Sequence, residues 1–130
     1  SSVGKHMTAI PRGRSRMWRA LTCLPMAELS SPYARTLGLV RDDTGGRIVL
    51  TLPGVDAMMG RPGFLHGGAI AGLLENAAWV TLAATLADDA VIRPVSITVD
   101  FMRGGRMVDS FARADIVRPR GIGSAVASPM

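Results

Sequence analysis

Phe64-Leu65-His66-Gly67-Gly68-Ala69-Ile70-Ala71-Gly72-Leu73-Leu74-Glu75-Asn76-Ala77-Ala78-Trp79 decides the fold, together with its continuation Val80-Thr81-Leu82-Ala83-Ala84-Thr85-Leu86-Ala87 before Asp88-Asp89. Between Ala69 and Ala87 there is no proline, and Gly72 is the only glycine. Alanine and leucine predominate, which predicts helix. The segment is apolar nearly all round, so the helix is expected to be buried rather than to keep one wet face. At about 19 residues it reaches the lower limit for crossing a bilayer. Glu75-Asn76 in its middle, and the absence of a second apolar span, point instead to a central helix wrapped by a sheet.

Glu75 is the chemically informative residue, because a carboxylate among apolar neighbours is costly unless paired, hydrogen-bonded or used. Its neighbours one turn away are Ala71, Gly72, Ala78 and Trp79, mostly small. Gly72 costs about 1 kcal/mol of helix propensity against alanine, which suggests close packing or ligand approach at that point. At the other end Gly67 and Gly68 open the helix, where backbone N–H groups lack intrahelical partners and the dipole is positive. Such an end can stabilise an oxygen that gains negative charge during a reaction. Glycine amides and a carboxylate two turns along suggest a hydrolytic pair. The bland alternative is a Glu75 satisfied by an internal hydrogen bond and a His66 that only caps the helix.

Working outward, residues 37–41 and 47–52 read as strands joined by Asp42-Asp43-Thr44-Gly45-Gly46, a hairpin-type connection. In the second strand Ile48, Leu50 and Leu52 alternate with Arg47, Val49 and Thr51, giving one apolar face. Residues 26–37 are a helical candidate broken by Pro32, with Ser30 or Ser31 able to cap the later turn. Residues 16–24 form another. The loop over residues 53–63 leads into His66 and is expected to frame a ligand entrance, with Met58, Met59 and Phe64 as pocket or core. After the helix, residues 93–102 form a strand with Val95, Ile97, Val99 and Phe101 on one face. Residues 103–106 turn, residues 107–117 form a strand, and residues 122–127 begin a short last one. Hairpins on either side of one helix predict an α+β antiparallel sheet curled around it. One sheet cannot cover the helix from every side, so a second copy is expected to complete it.

These blocks resemble a known family. His66-Gly67-Gly68, six intervening residues and then Glu75 is similar to the hot-dog-fold acyl-CoA thioesterases, in their PaaI-type branch. Ser31-Pro32-Tyr33-Ala34-Arg35-Thr36-Leu37-Gly38-Leu39 resembles that family's lead-in, and Val95-Ser96-Ile97-Thr98-Val99-Asp100-Phe101-Met102-Arg103 its strand after the helix. The resemblance implies a hot-dog fold, an antiparallel curved sheet around one long helix, with a final strand that is short here. It implies hydrolysis of an aryl- or medium-chain acyl-CoA to free acid and CoA, with no cofactor because CoA is part of the substrate. Glu75 would serve as general base or nucleophile, Gly67 or Gly68 amides would polarise the thioester carbonyl, and His66 would orient the loop or contact the thioester. Sites would lie between subunits of a homodimer or homotetramer, the acid from one chain and the glycine loop from the other. Asn76, Trp79, Met59 and Phe64 are candidates to line the acyl site. Arg103 and Arg106 are candidates for the CoA phosphates by charge, with Arg118 and Arg120 as alternatives. Two departures stand out. Relatives often carry Asn where this chain has Gly60, and Ser or Thr where it has Trp79.

Composition bounds the rest. The 130 residues suit one domain, and 48% hydrophobic content supplies a core. Net charge is +5, yet Lys5, Arg12, Arg14, Arg16 and Arg19 precede the first acid, Glu28. The other ten basic residues balance the ten acidic ones, so the body is neutral. Residues 1–25 are therefore read as an expression-vector remnant ahead of Met7 and a basic arm, and residues 26–130 as the hot-dog domain. The single Cys23 forms no internal disulfide, which fits a cytoplasmic protein. Two histidines and one cysteine provide no metal cluster, and no phosphate-binding glycine motif is present. A non-catalytic acyl-CoA-binding module is the alternative to an enzyme. Nucleic-acid binding through the arm ranks last, and no membrane role is expected.

Overall fold

The computed structural model describes the backbone of residues 2–10, 31–118 and 122–128, and the side chains of residues 31–117. The helix expected over residues 16–24, Cys23 and most of the basic arm lie outside the described residues, as do the side chains of Arg118 and Arg120.

Helix α1 (Pro32–Thr36) starts where the sequence allows it. The Ser31 hydroxyl accepts the Ala34 N–H at 3.0 Å and Pro32 occupies the first turn. Strands β2 (Val40–Asp42) and β3 (Val49–Leu52) pair antiparallel and are shorter than expected. β2 loses its first three expected residues to the end of α1, where Leu37 is the C-cap and Gly38 takes φ 66°, and β3 loses its first two to the connection. Asp42 accepts both the amide and the hydroxyl of Thr44, at 2.8 and 2.7 Å, and Gly46 sits at φ 74°, so the chain turns before it can pair. A single 3-10 turn, Asp56–Met58, precedes helix α2 (Gly67–Thr85). Strands β4 (Val91–Val99), β5 (Ser110–Arg118) and β6 (Ile122–Ser128) follow.

The sheet has six strands, all antiparallel to their neighbours, in the order β2-β3-β5-β6-β1-β4. The strand not expected from the sequence is β1 (Ser2–Ile10), from the stretch set apart on composition. It fills the gap between β6 and β4, pairing Val3 with Ala125 on one edge and Lys5 with Ile97 on the other. Two facing edges with unpaired N–H and C=O groups accept almost any extended segment, whatever its composition. The last strand, β6, runs seven residues and is paired along both edges.

Helix α2 lies against β3, β5 and β6. Leu73, Leu74 and Leu82 of the helix meet Leu50 and Leu52 of β3, all five fully buried. Each such leucine contributes about 1.5–3 kcal/mol of burial. The predicted alternation in β3 is present, with Val49 and Thr51 only half-buried. Gly72 is explained by packing. A Cβ there would lie 2.8 Å from both Leu37 Cδ1 and the Tyr33 ring, so the glycine lets α1 close onto α2.

Two expectations are corrected. The helix is not buried all round, because Glu75 and Asn76 are half-buried and Trp79 is 40% exposed. The apolar face of the post-helix strand is not core either. Val95 is 68% and Ile97 42% exposed, because β4 is the edge strand and packs on the core only through Ile92 and Val99, and Phe101 falls past the end of the strand. Both uncovered regions are where a single layer of sheet runs out.

Candidate active site

The site begins with a turn dictated by sequence. In Arg61-Pro62-Gly63-Phe64 the Phe64 N–H donates to the Arg61 carbonyl at 3.0 Å, Pro62 presets φ, and Gly63 takes φ 81°. This is the type II arrangement, with proline second and glycine third. The turn is pinned on both flanks. Gly60 N–H donates to the Phe64 carbonyl (2.9 Å), Leu65 N–H to the Gly105 carbonyl (2.9 Å) and His66 N–H to the Met58 carbonyl (2.7 Å). The result is an open cleft of about 620 Å³ between this loop, the start of α2 and residues 101–105.

His66 is the N-cap of α2. Its Nδ1 accepts the Gly68 N–H at 2.9 Å, which in the neutral ring leaves the proton on Nε2. That bond spends the Gly68 amide. The Ala69 and Ile70 amides both reach the His66 carbonyl, at 3.0 and 3.2 Å. The Gly67 N–H is thus the one amide of this first turn without an acceptor among the described residues. Gly67 lines the cleft, with the Phe101 ring 3.4 Å from where a Cβ would sit. A helix start with one uncommitted N–H in a cleft can hold an oxygen that becomes negative.

Of the residues singled out from the sequence, Met59, Phe64, His66, Gly67 and Arg103 line this cleft. Met58 turns away to pack on the core. Gly68 is exposed beside its cap. Arg106 is exposed and outside the lining, joined to Phe64 through the backbone. Glu75, Asn76 and Trp79 are not in the cleft. The Asn76 side chain donates to the Gly72 carbonyl at 2.8 Å, an internal bond of the helix. Gly67 and Glu75 are eight residues apart on one helix, about 12 Å along its axis at about 1.5 Å per residue. One carbonyl cannot touch both groups of the same chain. Thr81, further along, carries a buried hydroxyl with no hydrogen-bond partner among the described residues.

Arg61 and Phe101 were not anticipated as site residues. The Arg61 guanidinium lies 4.1 Å from the Phe64 ring centroid, a cation–π contact worth about 0.5–1 kcal/mol at an exposed position. Its signal in the sequence is the Pro62-Gly63 pair, which makes its two neighbours adjacent. Gly60, where relatives often have Asn, is tightly packed. A Cβ there would lie 3.0 Å from the His66 Cα. Among the described residues no group of His, Cys, Asp or Glu could hold a metal ion, and no helix is long and apolar enough to cross a membrane.

Residues 62–118, from the loop through α2 to the end of β5, match the family model of the thioesterase superfamily. Among solved structures, a phenylacetic acid degradation-related protein of Ralstonia eutropha JMP134, named as a candidate thioesterase, superposes with a TM-score of 0.60 at 22% identity, over 87% of this chain and 97% of that one. No curated protein matches the chain. The chain has the hot-dog fold, and its residues 62–118 are similar to the thioesterase superfamily.

Proposed function

We propose that the protein hydrolyses an aryl- or medium-chain acyl-CoA thioester to free acid and CoA, as a cytoplasmic homodimer or homotetramer. The observation that carries this reading is the uncommitted Gly67 amide at the wall of the cleft, at the head of the helix that also bears Glu75. The thioester oxygen accepts the Gly67 N–H as its charge grows. Glu75 from a second copy either takes a proton from the attacking water or attacks the carbonyl carbon itself, and both routes end in the acid and the CoA thiol. The second copy is required by the 12 Å spacing, about four times hydrogen-bond reach. His66 fixes the loop through its cap. Asn76 and Trp79 flank Glu75 along its helix and would meet the acyl group from that side, while Met59 and Phe64 meet it from the cleft. Arg103 from the cleft, and Arg106 from the exposed surface outside it, would hold the CoA phosphates. The half-exposed Glu75, the exposed Trp79 and the bare apolar residues of β4 are surfaces that a second copy would cover.

A binding module without turnover is the second reading, favoured by Gly60, which lacks the polar side chain common in relatives and packs tightly against His66. Thiol release from a panel of acyl- and aryl-CoA thioesters separates the two, with Glu75→Ala run in parallel. Turnover that falls by several orders of magnitude in the variant supports hydrolysis through Glu75. Full activity in the variant sinks the mechanism. Saturable binding of the same thioesters without any turnover, from folded oligomeric protein, favours the module.

A further inference from the structure

Two guanidinium groups, Arg61 and Arg103, line the cleft, and no acidic side chain does. Neither arginine makes a hydrogen bond or ion pair among the described residues. In a body whose basic and acidic residues balance ten to ten, two unneutralised cations sharing one cleft need a cause. Like charges brought together without a carboxylate repel one another unless an anion joins them.

The local fold holds Arg61 in place. The Pro62-Gly63 turn brings its side chain over Phe64, and the stacked guanidinium keeps its in-plane N–H groups unspent. Gly104 leaves the room. A Cβ there would meet two Phe64 ring carbons at 2.6 Å and Arg61 Nη2 at 3.3 Å. Gly104 also directly follows Arg103, which lines the same cleft as Arg61. A flat, held guanidinium in a cleft with a second cation suits the oxygens of a phosphate, which accept two parallel N–H groups.

We propose that Arg61, seated on Phe64 by the Pro62-Gly63 turn, joins Arg103 in binding phosphate groups of the CoA moiety, with Phe64 and Gly104 as positioning residues. This rests on the acyl-CoA reading of the same cleft, and it goes beyond it by giving recognition to a residue outside the helix and strand blocks. Binding then depends on phosphate, not on the acyl group or the thioester.

The test uses the full chain, with free CoA binding followed by calorimetry at low and moderate salt. KM and kcat are measured in parallel for one acyl group carried on CoA or on N-acetylcysteamine, which has no phosphate. Arg61→Ala is expected to weaken CoA binding and raise the acyl-CoA KM about tenfold, with kcat and the N-acetylcysteamine KM unchanged and the salt dependence shallower. Arg61→Lys should recover part of the loss, and Phe64→Leu should lose about threefold by freeing the guanidinium. Arg47→Ala, whose arginine faces Asp115 outside the cleft, should bind CoA as the parent does. Dephospho-CoA tells whether the 3′-phosphate or the diphosphate is the group held. Equal CoA affinity in Arg61→Ala and parent overturns the proposal, even if the enzyme turns over. An affinity loss in a protein that never turns over supports the phosphate site and rejects hydrolysis. No CoA binding by the parent rejects the phosphate site, and absence of turnover with it rejects hydrolysis as well.

Discussion

Gly67→Pro mixed with Glu75→Ala tests whether each site is built from two chains. Gly67 is the first residue of α2, after an N-cap His66 at φ −64° and ψ 133°. Proline is well suited to that position, since its φ is preset, the lost N–H has no intrahelical partner, and the preceding residue is already extended. The nearest obstacle is the Phe101 ring, 3.4 Å from a Cβ, and Phe101 is exposed enough to yield. The substitution therefore removes one donor and little else. Loss of one oxyanion donor lowers kcat by about 10²–10³.

The helix length sets the expected result. With about 12 Å between the two groups on one helix, the proposed site would draw Gly67 from one chain and Glu75 from the other. Random re-pairing of the two variants at equal concentration makes about half the dimers mixed. Each mixed dimer holds one site with both groups and one with neither. Activity should return to about a quarter of the parent value, against about 1% or less for either variant alone. The assay is thiol release after subunit exchange, with mixed dimers confirmed by native mass spectrometry. Mixed dimers that show only the sum of the two separate activities would refute the shared site.

Two further outcomes follow from local geometry. In Gly54→Ala the new Cβ would lie 2.5–2.7 Å from three backbone atoms of Val108, and backbone cannot swing aside as a side chain can. The expected loss is about 3 kcal/mol in urea unfolding with an unchanged denaturant slope, and a loss below about 0.5 kcal/mol would contradict the close crossing. Asp43 is held below the usual carboxylate range by its hydrogen bond from Arg41, at 2.8 Å. A folded pKa below the unfolded one gives stability that is present above the unfolded value of 3.8 and is lost as pH falls through the folded value. The Tm difference between the parent and Asp43→Asn should therefore be present at neutral pH and close in acid. A gap that widens below pH 3.8 would reverse the sign.

The long helix was legible because Ala and Leu over many residues leave little alternative, and β3 because its apolar side chains alternate cleanly. Gly72 gave a true signal of close packing, though not of whether α1 or a ligand would fill the space. Other features were hidden for physical reasons. β4 reads as a strand with a core face, but a sequence does not say where a sheet ends, and exposure follows from that. Arg61 has the composition of a solvated loop residue, and only the turn that Pro62-Gly63 makes puts it on an aromatic face. β1 has no apolar pattern to announce it, since a strand between two waiting edges is recruited by backbone hydrogen bonds. The His66 cap decides which glycine amide stays available, a choice that the repeated glycines alone left open.

The two ends of the proposed chemistry differ in how much protein surrounds them, and this bears on why they would be shared. Gly67 faces an open cleft, and Glu75 sits half-buried on a helix that its own sheet cannot cover. In water both groups act weakly on a developing charge, because the solvent screens them. A helix wrapped completely by its own chain would bury Glu75 with no substrate in reach and incur the cost of burying a carboxylate. Leaving that flank bare avoids the cost in the single chain. On the proposed two-chain site, the contact that would bring Glu75 to a second chain's Gly67 would also exclude water from both. Assembly and activation would then be one event, which ties the incomplete burial of α2 to the reaction rather than to a defect of the fold.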